Sequence, residues 1–267
     1  MLKVKIIIMI MIMIMIMIMC CIFWTEVSVL ASEIELKFNT QDFAPFNYLS
    51  GEVVAGPAAD IIRVVCREMK IKCSFRLLPW RRAQKEVEEG EAHGLFVIGW
   101  NKERSHWLHF SPPIMTTEYG FFVRKNNPLK YKELADIAGY QVGVYGPSNT
   151  STSLEKINQQ LIKKALSPIK IKVKHDDVFV FKMLDKGGRN MNAVYSNREV
   201  GINLIERLQL NNVKYSGGEQ RLQYYIAFSK QHTDKALVDR FNNTLGNLIK
   251  NGQVGVILAQ YKIEQTE

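Results

Sequence analysis

The alternation of short apolar strand patterns with amphipathic helix patterns restricts the fold of this chain more than any other feature of its sequence. In the first part, apolar and polar residues alternate as in a strand, and apolar residues then recur three and four positions apart as in a helix. The segments concerned are 34–38, 57–69, 73–78, 81–89 and 94–98. The order strand, helix, strand, helix, strand predicts an α/β fold with a largely parallel sheet.

The same order restarts in the second half of the chain. Strand patterns at 141–145, 169–173 and 193–195 alternate with helix patterns at 150–164, 178–184 and 200–208. This repetition predicts a second α/β lobe. The chain then ends in two further helical patterns, which we expect to pack on the first lobe.

Two extended apolar stretches are long enough to connect the lobes. They lie at 119–125 and 223–229, before and after the second series. The chain is therefore predicted to leave lobe one, build lobe two and return. The predicted boundaries are 32–121 and 223–267 for lobe one and 122–222 for lobe two.

The N-terminal segment is predicted to be a cleaved signal peptide. Lys3 and Lys5 precede an uncharged run of Ile and Met at 6–19, and small side chains at Val29 and Ala31 suit signal peptidase. We expect cleavage after Ala31, so that residues 1–31 are removed on export. The alternative is an uncleaved N-terminal anchor.

Charge and cysteine content limit the partners and cofactors. The formal net charge of +9 is dispersed, and no stretch forms the clustered basic arm of a nucleic-acid-binding protein. Cys66 and Cys73 remain after cleavage, and an even count in an oxidising compartment favours a disulfide over two free thiols. No His stands at ligand spacing from this pair, so we predict no metal site and no cofactor.

Five stretches, in this order, resemble a known family. They are Phe-Ala-Pro-Phe-Asn-Tyr at 43–48, the loop from Cys66 to Cys73, Lys-Glu-Arg at 102–104 with His-Phe-Ser-Pro-Pro-Ile at 109–114, Gly-Tyr-Gln-Val-Gly-Val-Tyr at 139–145, and Ala-Phe-Ser-Lys at 227–230. Together they are similar to the extracellular solute-binding proteins of the polar amino-acid type (family 3), which include periplasmic lysine/arginine/ornithine- and histidine-binding proteins. The resemblance implies a two-lobed, type II periplasmic-binding-protein-like fold with two hinge crossovers.

The resemblance also implies a function and a location. The chain is expected to be a monomeric periplasmic protein that captures a small molecule between its lobes and delivers it to an ABC permease. Its ligand is expected to be an amino acid or a related carboxylate. A ligand-sensing protein that docks on a signalling receptor is the alternative. A dehydratase-like enzyme on the same fold is disfavoured, because the His residues are scattered and no nucleophile and base stand together.

In lobe one, the resemblance assigns ligand contacts to three residues. Arg104 stands where the family grips the ligand carboxylate, a role that suits the planar fork of a guanidinium. Phe43 and Trp80 stand where aromatic side chains sandwich the rest of the ligand. Arg81, beside Trp80, either adds a second anion contact or lies in solvent.

In lobe two, the loop from Tyr145 to Thr150 joins a strand to the start of a helix. Ser148, Asn149 and Thr150 can cap that helix, and its free backbone N–H groups and positive end favour an anion. The family uses this loop to complete the carboxylate contact.

The sequence departs from the family at two places. Amino-acid binders carry an Asp where this chain has Asn197, so the contact with a ligand ammonium is in doubt. The strand before Arg104 carries Val, Ile and Gly at 97–99 and then Trp100 in place of hydroxyl residues. We therefore expect a more apolar and aromatic pocket.

Overall fold

The computed structural model describes residues 6, 8–16, 35–188 and 190–265. Residues 1–34 and 35–267 form two separate compact units. The described residues of the first unit are helical and expose their Ile and Met side chains. Among the described helices, none is both long and apolar enough to cross a membrane. The predicted cleavage site after Ala31 lies outside the described residues.

The second unit begins with alternating strands and helices. They are β1 (Glu35–Thr40), β2 (Tyr48–Ser50), β3 (Val53–Ala55), α1 (Pro57–Met69), β4 (Lys72–Leu77), α2 (Trp80–Glu88), β5 (Gly94–Gly99), α3 (Lys102–Trp107) and β6 (Leu108–Phe110). Local sequence explains α1: Pro57 occupies its first turn, Ile61, Ile62 and Val65 form its buried face, and Lys70 ends it in a left-handed conformation.

The remaining elements follow in the predicted order. They are β7 (Met115–Arg124), a 3-10 turn (Leu134–Ile137), β8 (Gln141–Tyr145), α4 (Asn149–Lys163), β9 (Lys170–Lys174), α5 (Asp177–Asp185), β10 (Ala193–Asn197), α6 (Arg198–Arg207), β11 (Val213–Ser229), α7 (Lys235–Lys250) and α8 (Gln253–Gln260). The hairpin of β2 and β3, the 3-10 turn and β6 were not predicted from sequence. Their segments are too short to show a period.

One continuous sheet runs through the second unit in the order β4-β1-β5-β11-β7-β10-β8-β9, with β6 also paired to β11. Strand β1 is parallel to β4 and β5, and β8 is parallel to β9 and β10. The antiparallel strands β7 and β11 lie at the centre. This confirms the predicted α/β fold with two crossovers, because each parallel set forms one lobe and the central pair joins them.

The two crossover strands are longer than the sequence patterns indicated. They pair from Arg124 with Val213 to Met115 with Tyr224, after which β11 continues along β5 and β6. The predicted lobe boundaries at 121/122 and 222/223 fall inside these strands and stay predictions.

The C-terminal helices complete the core of lobe one. The ring of Phe38 on β1 lies 5.6 Å from that of Phe228 on β11, which in turn lies 5.0 Å from that of Phe241 on α7. Helices α7 and α8 also pack on α1. The structure joins Cys66, near the end of α1, to Cys73 on β4, with Cα atoms 6.2 Å apart, as predicted.

A buried carboxylate connects α2 to β1 and β4 in lobe one. Glu86 on α2 accepts hydrogen bonds from Asn39 (2.8 Å), Arg76 (2.9 Å) and Arg82 (2.9 Å). Burial alone would raise the pKa of Glu86, but the hydrogen bonds from Arg82 and Asn39 and the charges of both arginines outweigh it and lower the pKa.

Candidate functional site

A narrow cavity of about 60 Å³ lies between the lobes, and most of the predicted site residues line it. Lobe one contributes Gln41, Phe43, Trp80, Val97, Ile98, Gly99 and Arg104, and the crossover strands contribute Tyr119 and Tyr224. Lobe two contributes Tyr145, Pro147, Ser148, Asn149, Thr150, Asp177, Ser196 and Asn197. Residues far apart in the sequence therefore meet where the two halves of the sheet join.

Two of the predicted residues lie elsewhere. Trp100 is 58% exposed and lines a larger adjoining cavity of about 580 Å³, which shares Gly99, Tyr119 and Asn149 with the narrow one. Arg81 is exposed on α2 and lines neither. Residues of both lobes line each cavity, but among the described residues Arg104 lines the narrow cavity and not the larger one. The narrow cavity is therefore the better candidate for specific recognition.

Arg104 is held in place by its own helix and strand. Asn101 caps α3 by accepting a hydrogen bond from the Arg104 backbone N–H at 2.8 Å, and the guanidinium Nη1 donates to the Gly99 carbonyl at 2.8 Å. The guanidinium carbon lies 5.5 Å from the centre of the Trp80 ring. The stacking and the carbonyl contact orient the fork without neutralising its charge.

The charge of Arg104 has no counter-ion among the described residues. Within the part of the chain that the structure describes, no carboxylate forms an ion pair with it. Burial lowers its pKa, and the nearby Tyr119 and Glu103 oppose that shift. A guanidinium stays protonated under such a shift. The cavity thus contains a fixed positive charge that an anion can neutralise.

Aromatic rings form one wall of the cavity. The ring of Phe43 lies 5.5 Å from that of Phe46 and 6.0 Å from that of Tyr224, so its position is fixed from two sides. Trp80, the first residue of α2, stands beside Arg104. This wall offers apolar contact area and flat faces to a ligand. The ligand contacts predicted for Phe43 and Trp80 stay predictions.

The backbone of β5 is unusual where it meets the cavity. Val97 has a φ of 55°, a left-handed conformation that is rare for a β-branched residue, and β11 shifts its register between Tyr225 and Ile226 opposite this strand. Strain of this kind persists where the surroundings fix it and is common at binding sites.

The start of α4 presents hydrogen-bond donors from lobe two. Ser148 caps the helix by accepting from Ser151 N at 3.1 Å, and its hydroxyl donates to the Tyr145 carbonyl at 2.7 Å. The backbone N–H groups of Asn149 and Thr150 have no partner among the described residues. These two donors and the positive end of the helix can bind an anion.

Asn197 lines the cavity, but its side chain is used inside the protein. Its Nδ2 donates to Thr117 Oγ1 at 2.7 Å and to the Tyr224 hydroxyl at 3.3 Å, and its Oδ1 accepts from Val200 N at 3.2 Å as the cap of α6. Both N–H donors are therefore occupied, and the side chain carries no charge.

Sequence reasoning missed Asp177 as a cavity residue. It follows Asp176, and the pair reads as a helix cap; Asp176 does cap α5, accepting from Val178 N at 2.8 Å. Asp177 instead lines the cavity. Burial and the adjacent charge of Asp176 raise its pKa to about 7. Tyr119 and Tyr224 were also missed, although each lies in an extended stretch that the sequence analysis predicted to join the lobes.

Among the described side chains, no group of three or more His, Cys, Asp or Glu residues is placed to hold a metal ion. The cavity is built instead from one guanidinium, one carboxyl group, hydroxyl groups and aromatic rings. These groups suit recognition of a small polar molecule.

Two α/β lobes joined by two strands, with a polar cleft between them, define the class of two-lobed binding proteins. The chain belongs to the bacterial extracellular solute-binding proteins, family 3, whose family model matches residues 37–264. Among curated protein sequences, none matches the chain significantly.

Solved structures share this fold at low sequence identity. A histidine kinase sensor domain with similarity to periplasmic binding proteins has a TM-score of 0.74 at 20% identity, covering 87% of this chain and 98% of its own. An arginine-bound amino acid ABC transporter substrate-binding protein from Streptococcus pneumoniae has a TM-score of 0.69 at 19% identity, and the match covers 86% of this chain and 94% of that one. An ancestral amino acid-binding protein, a precursor of cyclohexadienyl dehydratase, has a TM-score of 0.69 at 19% identity, and the match covers 85% of this chain and 94% of that one.

Proposed function

We propose that this protein captures a small, carboxylate-bearing, amino-acid-like molecule in the cleft between its lobes and delivers it to an ABC importer in the periplasm. The observation that carries the proposal is the uncompensated guanidinium of Arg104, which faces the cavity together with the free N–H groups at the start of α4. A carboxylate between them would be contacted from both lobes, so its binding would favour lobe closure.

A sensing role is the second candidate. In it, the liganded protein would dock on a signalling receptor instead of a permease. The fold shared with a histidine kinase sensor domain supports this alternative. Ligand capture is common to both roles, so copurification from envelope extract with a permease or with a receptor would decide between them.

Binding without turnover fits the cavity better than catalysis. A dehydratase-like enzyme needs a positioned acid or base close to the bond that breaks. Of the residues that the structure describes, Asp177 is the one with a carboxyl group that lines the narrow cavity, and no His lines it. Recovery of a saturating ligand unchanged after long incubation, measured by NMR, would support binding alone, and its conversion would support the enzyme.

A thermal-shift screen of amino acids, small carboxylates, amines and short peptides tests ligand capture. At a ligand concentration of 100 times Kd, mass action stabilises the folded state by about 2.7 kcal/mol. For a chain of this size that corresponds to a rise in Tm of about 5 to 11 °C. We expect such a rise with a carboxylate-bearing compound. A rise only with compounds that lack a carboxylate would refute the proposed ligand class.

Small-angle scattering then tests lobe closure. The radius of gyration should fall when the compound that raised Tm is added at saturation, because the lobes rotate about β7 and β11. An unchanged radius would indicate a rigid protein.

Mass spectrometry of the exported protein tests the location: a mature chain that begins at Ser32 is the expected result, and retention of residues 1–31 would favour the anchor.

A further inference from the structure

Asp177 is a cavity residue whose charge no group neutralises within the described ranges of the chain. Burial and Asp176 are the causes that raise its pKa, and no positive charge or hydrogen bond opposes them. In the part of the chain that the structure describes, its carboxyl group forms neither an ion pair nor a hydrogen bond. A half-buried carboxylate without partners destabilises the folded protein.

Arg104 and Asp177 face the same cavity from opposite lobes without contacting each other. The cleft therefore holds one unpaired positive charge and one unpaired negative charge, separated by the space a ligand would fill. A ligand with a carboxylate at one end and a cationic group at the other would neutralise both. A simple anion would neutralise Arg104 and be repelled by Asp177.

The residue at position 197 does not supply this negative charge. Asn197 is neutral, and its donors and acceptor are already bonded to Thr117, Tyr224 and Val200. Asp177 stands on α5, the helix that precedes Asn197 in the same lobe, and its carboxyl group has no ion-pair or hydrogen-bond partner in the described part of the chain.

We propose that Asp177 is the residue that binds the cationic group of the ligand, so that this cleft selects an α-amino acid over the same carboxylate without its ammonium group. The inference rests on the proposed function, because it takes Arg104 as the carboxylate contact. It deepens that function by naming a zwitterion as the ligand class and by assigning the specificity to α5 instead of position 197.

Paired probes test the inference. The panel consists of L-α-amino acids with uncharged side chains and the corresponding deaminated carboxylates, for example L-phenylalanine with 3-phenylpropanoate and L-leucine with 4-methylpentanoate. Calorimetry measures each pair on the wild type, on Asp177→Asn and on Asp176→Asn. The last variant is the matched control, because it removes a neighbouring charge that does not line the narrow cavity and keeps a side chain able to cap the helix.

We expect the wild type to prefer the amino acid within a pair. Asp177→Asn should weaken binding of that amino acid on the order of 100-fold, as for loss of a desolvated charge pair. Binding of the deaminated partner should be unchanged or stronger, and Asp176→Asn should change neither by more than about threefold. Equal losses in both variants, a preference that survives in Asp177→Asn, or binding of deaminated carboxylates alone would overturn the inference. Failure of every amino acid to bind would also overturn it.

A variant of Arg104 separates this inference from the proposed function. Arg104→Ala should weaken binding of both members of a pair, because both carry the carboxylate. If Arg104→Ala leaves both unchanged, the proposed carboxylate site is wrong. If Arg104→Ala weakens both while Asp177→Asn weakens neither, the carboxylate site stands and the role of Asp177 is wrong.

Stability without ligand supplies an independent measurement. Asp176 on the same helix raises the pKa of Asp177, and the hydroxyls of Tyr119 and Tyr145 interact with it. Arg104 lines the narrow cavity with Asp177, and a second cavity of about 240 Å³ is lined by Asp177 together with Asp42, His175 and Arg207. Because the folded pKa is raised from 3.8 to about 7, this group lowers stability as pH rises through that interval. Asp177→Asn should therefore raise Tm by about 2 °C or more at pH 8 and by less at pH 4. A lower Tm at pH 8 would indicate a structural role and contradict the inference.

Discussion

The replacement Arg104→Ala is the most direct test of how this cleft recognises a ligand. In the free protein the guanidinium contacts the Gly99 carbonyl and the Trp80 ring and has no carboxylate partner among the described residues. We expect both protein contacts to be kept when a ligand binds, so that their loss cancels from the binding free energy. The loss of the ligand contact does not cancel.

The expected increase in Kd therefore comes from the ligand contact alone. Truncating one partner of a buried, hydrogen-bonded charge pair costs about 2 to 5 kcal/mol of binding free energy. At about 1.4 kcal/mol per factor of ten, Kd should rise about 30-fold to several thousand-fold. The lost carbonyl hydrogen bond and ring contact should lower the free energy of unfolding by only about 1 to 2 kcal/mol.

The assay is calorimetry at pH 7 with the carboxylate compound that gives the largest thermal shift. Arg81→Ala is the matched control, because it removes the same charge from an exposed position near Trp80 that lines neither cavity. Arg104→Lys keeps the charge but loses the planar fork, so its Kd should lie between those of the wild type and Arg104→Ala.

Two results would refute the reasoning. If a folded Arg104→Ala protein binds within about threefold of the wild type, Arg104 does not hold a carboxylate, and the aromatic wall of Phe43 and Trp80 binds a ligand of another class. If Arg81→Ala loses as much affinity as Arg104→Ala, the effect comes from the general positive field of the protein and not from a contact.

Three further predictions concern stability and charge. Exported protein treated with an alkylating agent without reductant should show no modified thiol at Cys66 or Cys73, and opening this short loop should lower the free energy of unfolding by about 2 to 3 kcal/mol; complete alkylation would contradict the bridge. Glu86→Gln should lower the free energy of unfolding by about 1 to 3 kcal/mol at pH 7. Because the folded pKa of Glu86 is lowered, its stabilisation is present above pH 4.5 and is lost as pH falls further, so urea unfolding should show a smaller difference near pH 3 than at pH 7. Asn197→Asp should lower Tm more at pH 8 than at pH 5, because an added carboxylate replaces the amide that donates to Thr117 and lies buried; an unchanged Tm would show that water reaches this position.

The fold could be predicted from the sequence because the apolar periods of its strands and helices appear within short, continuous segments. Strand β8 was predicted with its observed bounds, and α1 is marked at its start by Pro57. The lengths of β7 and β11 could not be predicted in the same way. Their outer halves, such as residues 213–222, carry Gly, Glu, Gln and Arg, which disrupt the apolar period, and their extended form comes from pairing with each other.

The candidate site could be predicted only where a side chain stands in a recognisable motif. Arg104, Trp80 and the loop from Tyr145 to Thr150 lie in such motifs, and the structure brings them together. Asp177 could not be distinguished from Asp176, because a cap and a cavity residue look alike at the start of a helix, and only the direction of each side chain separates them. The involvement of Asn197 in internal hydrogen bonds was equally hidden, because its partners are distant in sequence.

The central position of β11 also governs the order in which the molecule can form. This strand pairs with β5 of lobe one and with β7, the other crossover strand, yet it is built from residues 213–229 and followed by the helices that finish the first core. A nascent chain that lacks it leaves the edges of β5 and β7 unpaired and the ring of Phe38 without its partners on β11 and α7. Lobe one therefore cannot complete its sheet and core until the last fifth of the chain is present. Folding should be slow and dominated by long-range contacts.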